Sequence, residues 1–469
     1  MERADQAGRD ERLVAAVGTG DADEVRRLLE AGADPDTAGE DGLPVLCAAV
    51  TAYDAAVTEL LVDHGADPDR PLPDGTTPLS RAVEGGSPAV FHAALDRDPG
   101  ERLPRAERER LLRLARAWYE TGAEAGLRRR TGASGPAETV RIPDDEDGTV
   151  DRVSLGGLTV RAGHGAILTS LERFFGVETP PEVLMARALA DPDPHHVDRA
   201  AVLYPLGLRH GRETWSAVLA ADHPSERDRR LFALRLLRYA DVLHMVSDRP
   251  YDRTEEAERL AAWALDESDP KVLWEILDLY VGLGHPQEES IALRLAGHPD
   301  PDVRASLPVA LGDASGLGPK ADRALFAFVR DPDPTVRAST TGCLDHWRRH
   351  AAEAGRPADA ARFAETLLGL ARDPDPGVRG AVAQTLAASR DRSPAAADTL
   401  WRLLDEEDRL VRLEAAYGLA RRHDPRTEEA YERVGRLPWD AFSLGEDHRL
   451  LALRSYRAGR DDGSAPADT

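Results

Sequence analysis

The chain of 469 residues has little of what most enzymes and membrane proteins are built from. It holds two cysteines, Cys47 and Cys343, in different repeat regions. That excludes a disulfide framework and fits a reducing compartment. No run of about 18 apolar residues occurs, which excludes a hydrophobic membrane-spanning helix. The start, Met1-Glu2-Arg3-Ala4-Asp5, is charged and no apolar stretch follows it, so no signal peptide is expected and the cytoplasm is the expected location. Aromatic residues make up 5%, which suits stacked Ala/Leu helices better than an aromatic-rich sheet core. Lysine is nearly missing: of 60 basic residues only Lys271 and Lys320 are lysine. Together with abundant Ala, Asp, Gly and Pro, this points to a GC-rich bacterial genome of the actinobacterial kind. Net charge is −24, the opposite of the basic face a nucleic-acid binder presents. There is no Gly-rich phosphate loop and no Cys-x-x-Cys, and no cofactor is expected.

What the chain does have is repetition. Asp331-Pro332-Asp333-Pro334-Thr335-Val336-Arg337 returns as Asp373-Pro374-Asp375-Pro376-Gly377-Val378-Arg379. Upstream it reads His298-Pro299-Asp300-Pro301-Asp302-Val303-Arg304, and downstream a degenerate copy ends at Val411-Arg412. The second Asp is placed to accept from the free N–H groups of a first helical turn, and the Pro after it needs no donor and has a helical φ. A Leu follows each Val eight residues on (Leu311, Leu344, Leu386, Leu419), which predicts one buried face per unit. Such units stack into a solenoid.

A different rhythm runs from residue 1 to about 100. Gly32-Ala33-Asp34-Pro35-Asp36 recurs 33 residues later as Gly65-Ala66-Asp67-Pro68-Asp69, and Ala16, Ala49 and Ala82 keep the same step. Thr77-Pro78-Leu79-Ser80-Arg81-Ala82 and Leu28-Leu29-Glu30-Ala31-Gly32-Ala33-Asp34 resemble the two halves of the ankyrin repeat. Three repeats are expected, near 9–40, 41–73 and 74–100. The resemblance implies contact with a partner through loop tips and first helices, here Glu40, Thr51, Arg70, Leu72, Arg81 and Glu84. Pro71-Leu72-Pro73 reads as a stiff tip with Leu72 as an apolar anchor. Residues 1–100 carry 21 Asp and Glu against 8 Arg, so −13 of the −24 lies there, which suits a basic partner.

Residues 101–160 are expected to be a link. A helix over 105–130, with Leu111 and Trp118 on one face, closes the ankyrin stack, and Arg128-Arg129-Arg130 is its solvated end. Strand is expected only within 139–161, as a hairpin from Thr149–Leu155 and Leu158–Val160 around Gly156-Gly157. The acidic run Asp144-Asp145-Glu146-Asp147 reads as a solvated turn. From 161 to 458 the Asp-Pro-Asp units resemble HEAT repeats, including the short bacterial type named for phycobilisome lyases. Arg304, Arg337, Arg379 and Arg412 are spaced 33, 42 and 33 apart. That resemblance implies paired antiparallel helices, with Asp333 and Asp375 facing Arg residues of neighbouring units. Residues 459–469, small and polar, are expected to be a disordered tail. The fold expected is therefore all-α, two tandem solenoids joined by a small hairpin.

Candidate chemistry is thin. His195-His196 with Asp191, Asp193 and Asp198 suggests a metal site, but consecutive helical residues point about 100° apart, and a solvated helix start is the better reading. His346 and His350 stand one turn apart without the Glu of a metalloprotease helix. Gly163-His164-Gly165 lacks a nearby nucleophile and reads as a turn before a helix. Trp215, Trp263, Trp274, Trp347 and Trp401 suit base stacking only in a basic groove. The reading adopted is a non-catalytic, monomeric protein-interaction scaffold. A lyase-type or metal-dependent enzyme and a nucleic-acid-sensing solenoid are the alternatives, and no nucleic acid or membrane partner is expected.

Overall fold

The protein is described from a computed structural model, over residues 2–39, 42–95, 99–144, 148–209, 218, 227–245, 253–313, 316–435, 448–449 and 456. Glu40, Trp215 and the expected tail 459–469 lie outside these residues. The chain divides into two compact units, Met1–Pro250 and Tyr251–Thr469. Both are helical solenoids, and the sheet in the first is small.

The first unit opens with three helix pairs: α1 (Glu2–Thr19) with α2 (Ala22–Glu30), α3 (Val45–Ala52) with α4 (Ala55–Asp63), and α5 (Pro78–Gly85) with α6 (Pro88–Leu95). Their starts follow local chemistry. Asp21 and Asp54 cap α2 and α4, and Thr77 with Ser80 forms a reciprocal capping box ahead of Pro78. Inward faces meet in one core that includes Leu28, Leu46, Leu61, Leu79 and Phe91. The stack continues through α7 (Pro99–Arg102), α8 (Arg105–Thr121) and α9 (Ala123–Thr131). Gly122 splits the single helix expected over 105–130 in two.

Three antiparallel strands follow: β1 (Glu138–Pro143), β2 (Thr149–Leu155) and β3 (Leu158–Arg161), in that order across the sheet. The β2–β3 hairpin is the expected one, turned by Gly156 and Gly157 at positive φ. The sheet buries Val153, Leu155 and Val160 against Trp118 and Leu127. Then come α10 (His164–Phe174), α11 (Pro181–Ala188), α12 (Val197–Gly207) and α13 (Arg227–Met245). Ile167, Leu168 and Leu171 of α10 lie in the same core as the ankyrin-like helices. α10 thus belongs with the ankyrin-like helices, in a unit that runs past the expected boundary at 160.

In the second unit two layers alternate. One contains α15 (Pro270–Tyr280), α17 (Pro301–Ala305), α19 (Pro334–Glu353), α21 (Pro376–Ala388) and α23 (Arg409–Arg421), each packed on the next. The other contains α14 (Thr254–Asp266), α16 (Glu288–Leu295), α18 (Pro319–Phe328), α20 (Pro357–Leu370), α22 (Pro394–Leu403) and α24 (Thr427–Val434). The first four helices of the first layer start at an Asp-Pro step, with Asp269, Asp300, Asp333 and Asp375 as caps. Val336 with Leu344 and Val378 with Leu386 are buried, as their spacing implies. Val303 and Leu311 are buried too, but not on one helix: Pro308 opens a 3-10 turn after α17. Val411 is half-buried, and Leu413 fills the core in its place.

Candidate functional site: the aspartate tips of the ankyrin stack

The tips between helix pairs carry Asp34-Pro35-Asp36 and Asp67-Pro68-Asp69. Within each tip the first Asp accepts a hydrogen bond from the N–H of the second, at 3.0 Å for Asp34 and 2.9 Å for Asp67. Between tips, Asp36 Oδ1 accepts from the Asp67 N–H at 3.0 Å, and Asp10 Oδ1 accepts from the Asp34 N–H at 2.8 Å. Arg102 pairs with Asp69 and closes the row. The N–H bonds fix the backbone and leave the charge of Asp34, Asp36 and Asp67 in place, because those donors are neutral, whereas Asp69 is matched by Arg102. Asp74, on the last tip, accepts from the Thr76 hydroxyl and N–H and from Arg81, and its carboxyl is held down at about 2 by Thr76 first and Arg81 after. Asp34, Asp67 and Asp74 are exposed; Asp74 is paired with Arg81, so the fixed negative charge that faces solvent centres on Asp34 and Asp67.

The residues singled out from the sequence fare unequally. Thr51 and Arg70 are exposed; the Thr51 hydroxyl donates to the Cys47 carbonyl at 2.7 Å, and Arg70 reaches the Asp36 carbonyl at 3.4 Å. Arg81 is tied to Asp74 at 2.9 Å. Leu72 is not an anchor for a partner: it is 6% exposed, and it closes the tip through its N–H to Thr76 and its carbonyl from Gly75, both at 2.9 Å. The prolines on either side are the exposed residues, and the turn folds Leu72 inward.

Glu84 belongs to a seam inside the first unit. It pairs with Arg130, whose guanidinium lies 4.9 Å above Trp118. Trp118 stacks on His164 at 5.0 Å, and His164 Nε2 is 3.2 Å from the Glu84 carbonyl. Burial pushes His164 down to about 4, so its ring is neutral at pH 7. Beside it, Asp144 accepts from Ser87, from the Ala89 N–H and from Arg161 at 2.7–2.8 Å. Asp144 is therefore a buried clamp between sheet and stack, not part of a solvated turn; 145–147 lie outside the described residues. Gly86 makes this approach feasible: a Cβ there would sit 1.9 Å from the Arg161 carbonyl. Arg128 and Arg129 bond Glu124 and Thr121 on the exposed end of α9.

The expected inter-repeat ladder exists in the second unit, one residue pair away from where it was expected. Arg304 holds Asp331 through two bonds of 2.8 Å, Arg337 holds Asp373 at 2.8 and 2.7 Å, and Arg379 holds Glu406 at 2.6 and 2.7 Å. Asp333 and Asp375 do not face these arginines; they cap their own helices at Thr335 and Gly377. The cap needs a carboxylate beside the first turn, and only the Asp two residues earlier is left to reach the preceding repeat. Arg304 and Arg337 hold Asp331 and Asp373 below the usual carboxylate range. Arg412 has carbonyls as partners instead, of Glu406, Glu407 and Val434.

The metal candidates resolve into other roles. Arg141 pairs with Asp191 and Asp193 at 2.9 and 3.3 Å. His196 and Asp198 are buried, not solvated: His196 Nδ1 caps the Asp198 N–H, and Asp198 accepts from the Ala166 N–H at 2.6 Å. Burial pushes Asp198 up to about 7. His346 and His350 pack edge-on against Trp347, at 4.7 and 5.2 Å. Among the described residues no group of three or more His, Cys, Asp or Glu is placed to hold a metal. Trp263 bonds Glu267, while Trp274 and Trp401 lie under Lys271 and under Arg426 and Arg433.

Residues 13–100 match the model for ankyrin repeats in three copies, and residues 346–420 match that for HEAT repeats. The chain carries ankyrin and HEAT repeats. No curated protein matches it. Among solved structures, the crystal structure of an engineered protein is 15% identical, with 98% of this chain and 100% of that chain covered and a TM-score of 0.27.

Proposed function

We propose that the protein is a non-catalytic interaction scaffold whose ankyrin tips bind a basic protein segment. Ankyrin and HEAT repeats are in general protein-interaction modules, and stacked repeats offer extended surfaces that need no chemistry. The observation that carries the reading is the run Asp34, Asp36 and Asp67, held through backbone N–H bonds and in no ion pair among the described residues, beside the exposed Asp74 that Arg81 pairs. A preorganised anionic strip steers a cationic partner and loses little side-chain freedom on binding. The groups that looked most like catalysts are engaged elsewhere: His164 in a stack, His196 in a cap, Asp198 on the start of α10.

An arginine-rich peptide titrated into the full chain tests this. The combined variant Asp34→Asn, Asp67→Asn and Asp74→Asn keeps the Oδ1 acceptors and removes three charges. Affinity should fall by about tenfold or more in the variant, and raising salt should weaken the parent. Equal affinity of parent and variant at low salt would move the binding surface away from the tips.

A further inference from the structure

A second surface of the first unit has a different character. Between α10, α11 and α12 lies an open cleft of about 310 Å³, near the lower end of the range for small-ligand pockets. Val177, Leu184, Tyr204 and Leu208 supply its apolar wall. Large apolar side chains exposed on the described surface are few, and three of them, Val177 (40%), Tyr204 (41%) and Leu208 (47%), line this one cleft.

Two guanidiniums border the same wall. Arg173 is exposed and lies over the rings of Phe174 and Tyr204, at 4.1 and 5.0 Å; it pairs with no carboxylate among the described residues. Arg209 donates to the Thr179 carbonyl at 2.5 Å and likewise has no carboxylate there. Two arginines without an ion pair among the described residues thus border one apolar wall. Arg187, by contrast, bonds Glu172 at 2.9 Å and Thr169 at 2.6 Å. Glu172 also accepts from Thr179 at 2.8 Å and from Arg116 at 3.3 Å. Its charge is thus matched inside the floor, and Glu178 is the one further acid of the lining.

We propose that this cleft binds a carboxylate carried on a short aliphatic body, with the acid at Arg173 and Arg209 and the aliphatic part against Leu184, Tyr204 and Leu208. Guanidinium forks match a carboxylate in two parallel bonds, and the apolar wall supplies the remaining attraction. The same chemistry is offered by a free aliphatic acid and by the C-terminus of a peptide that ends in leucine. The site is independent of the ankyrin tips, whose ligand is cationic.

Calorimetric titration of the full chain at low salt separates the cases, with hexanoate, a peptide ending in free leucine, and the same peptide amidated. The free peptide should bind at least about tenfold more tightly than the amide. Arg173→Glu, at an exposed position, should abolish binding of both acids with an unchanged melting curve, and Arg173→Lys should retain part of it. Leu208→Glu, also exposed, repels an acid by a separate route and covers the case in which Arg173→Glu fails to fold. Hexanoate equal to the free peptide assigns a small acid; a clear advantage for the peptide assigns a protein C-terminus. Equal binding of acid and amide, indifference to both Glu variants, or no heat with either acid would overturn the proposal.

Discussion

The same three residues, Asp-Pro-Asp, join repeats in both solenoids, by different chemistry. In each copy the first Asp accepts from the N–H of the second: 3.0 Å in Asp34-Pro35-Asp36 and 2.9 Å in Asp331-Pro332-Asp333. His298 does the same with Nδ1 for Asp300 at 3.1 Å, so the local turn needs an acceptor and not a charge. The copies then diverge. In the ankyrin stack Asp36 bonds the backbone of the next tip, Asp69 at the end of the row pairs with Arg102, and no helix begins at either. In the HEAT stack the second Asp caps a helix, and the first takes a guanidinium from the preceding repeat. A carboxylate bonded to N–H groups keeps its charge for a partner; one gripped by arginine is neutralised within the fold. One motif thus leaves carboxylate charge outside arginine pairs at Asp34, Asp36 and Asp67 in one region and builds an internal ladder in the other.

The sharpest break of this comparison is expected at Leu72. A buried leucine replaced by a charge, Leu72→Asp, should destabilise the first unit by about 3–5 kcal/mol, read by thermal or denaturant melts. An exposed anchor would instead leave stability alone. Next comes the ladder. Arg337→Ala leaves Asp373 without its partner in a largely buried position and should cost about 2–3 kcal/mol, whereas Asp333→Ala removes only a cap, about 1 kcal/mol. The reverse order would return the pairing to Asp333.

A smaller effect is a difference in pH response. Asp331 and Asp373, held down by arginine, contribute stability above their unfolded values and lose it as pH falls through their folded ones. Asp198 has the opposite sign: raised from 3.8 to about 7, its contribution is complete in acid and lost as pH rises to about 7. His164, lowered from 6.5 to about 4, gains over much of the same window and masks part of that loss. Asp198→Asn, melted from about pH 5 to about pH 8, should gain on the parent as pH rises, with the gap levelling near pH 7. A gap independent of pH would contradict the assignment.

Much of this was legible in the chain. The step of 33 located the ankyrin pairs, and Asp-Pro located the HEAT helix starts at Asp300, Asp333 and Asp375, because caps and prolines act within one turn. Long-range partners were less legible. β1 escaped because Glu138, Thr139, Val140 and Arg141 are all exposed, leaving no apolar alternation to read. Asp144 sits in an acidic run, and only the fold shows that Ser87 and Arg161 surround it. Leu72 looked exposed between two prolines because a turn's inward direction is not written in its neighbours. Asp331 and Asp333 are chemically alike, and the cap alone decides which one is left for Arg304.

The claim that the two regions use their carboxylates differently has one direct test: neutralise them in parallel and measure both stability and binding of an arginine-rich peptide. The account predicts a crossover. Asp34→Asn with Asp67→Asn and Asp74→Asn should lower peptide affinity about tenfold with stability within about 1 kcal/mol of the parent. Asp331→Asn with Asp373→Asn should lower stability by about 2–4 kcal/mol with peptide affinity unchanged. Loss of affinity in the HEAT variant with none in the ankyrin variant would contradict it.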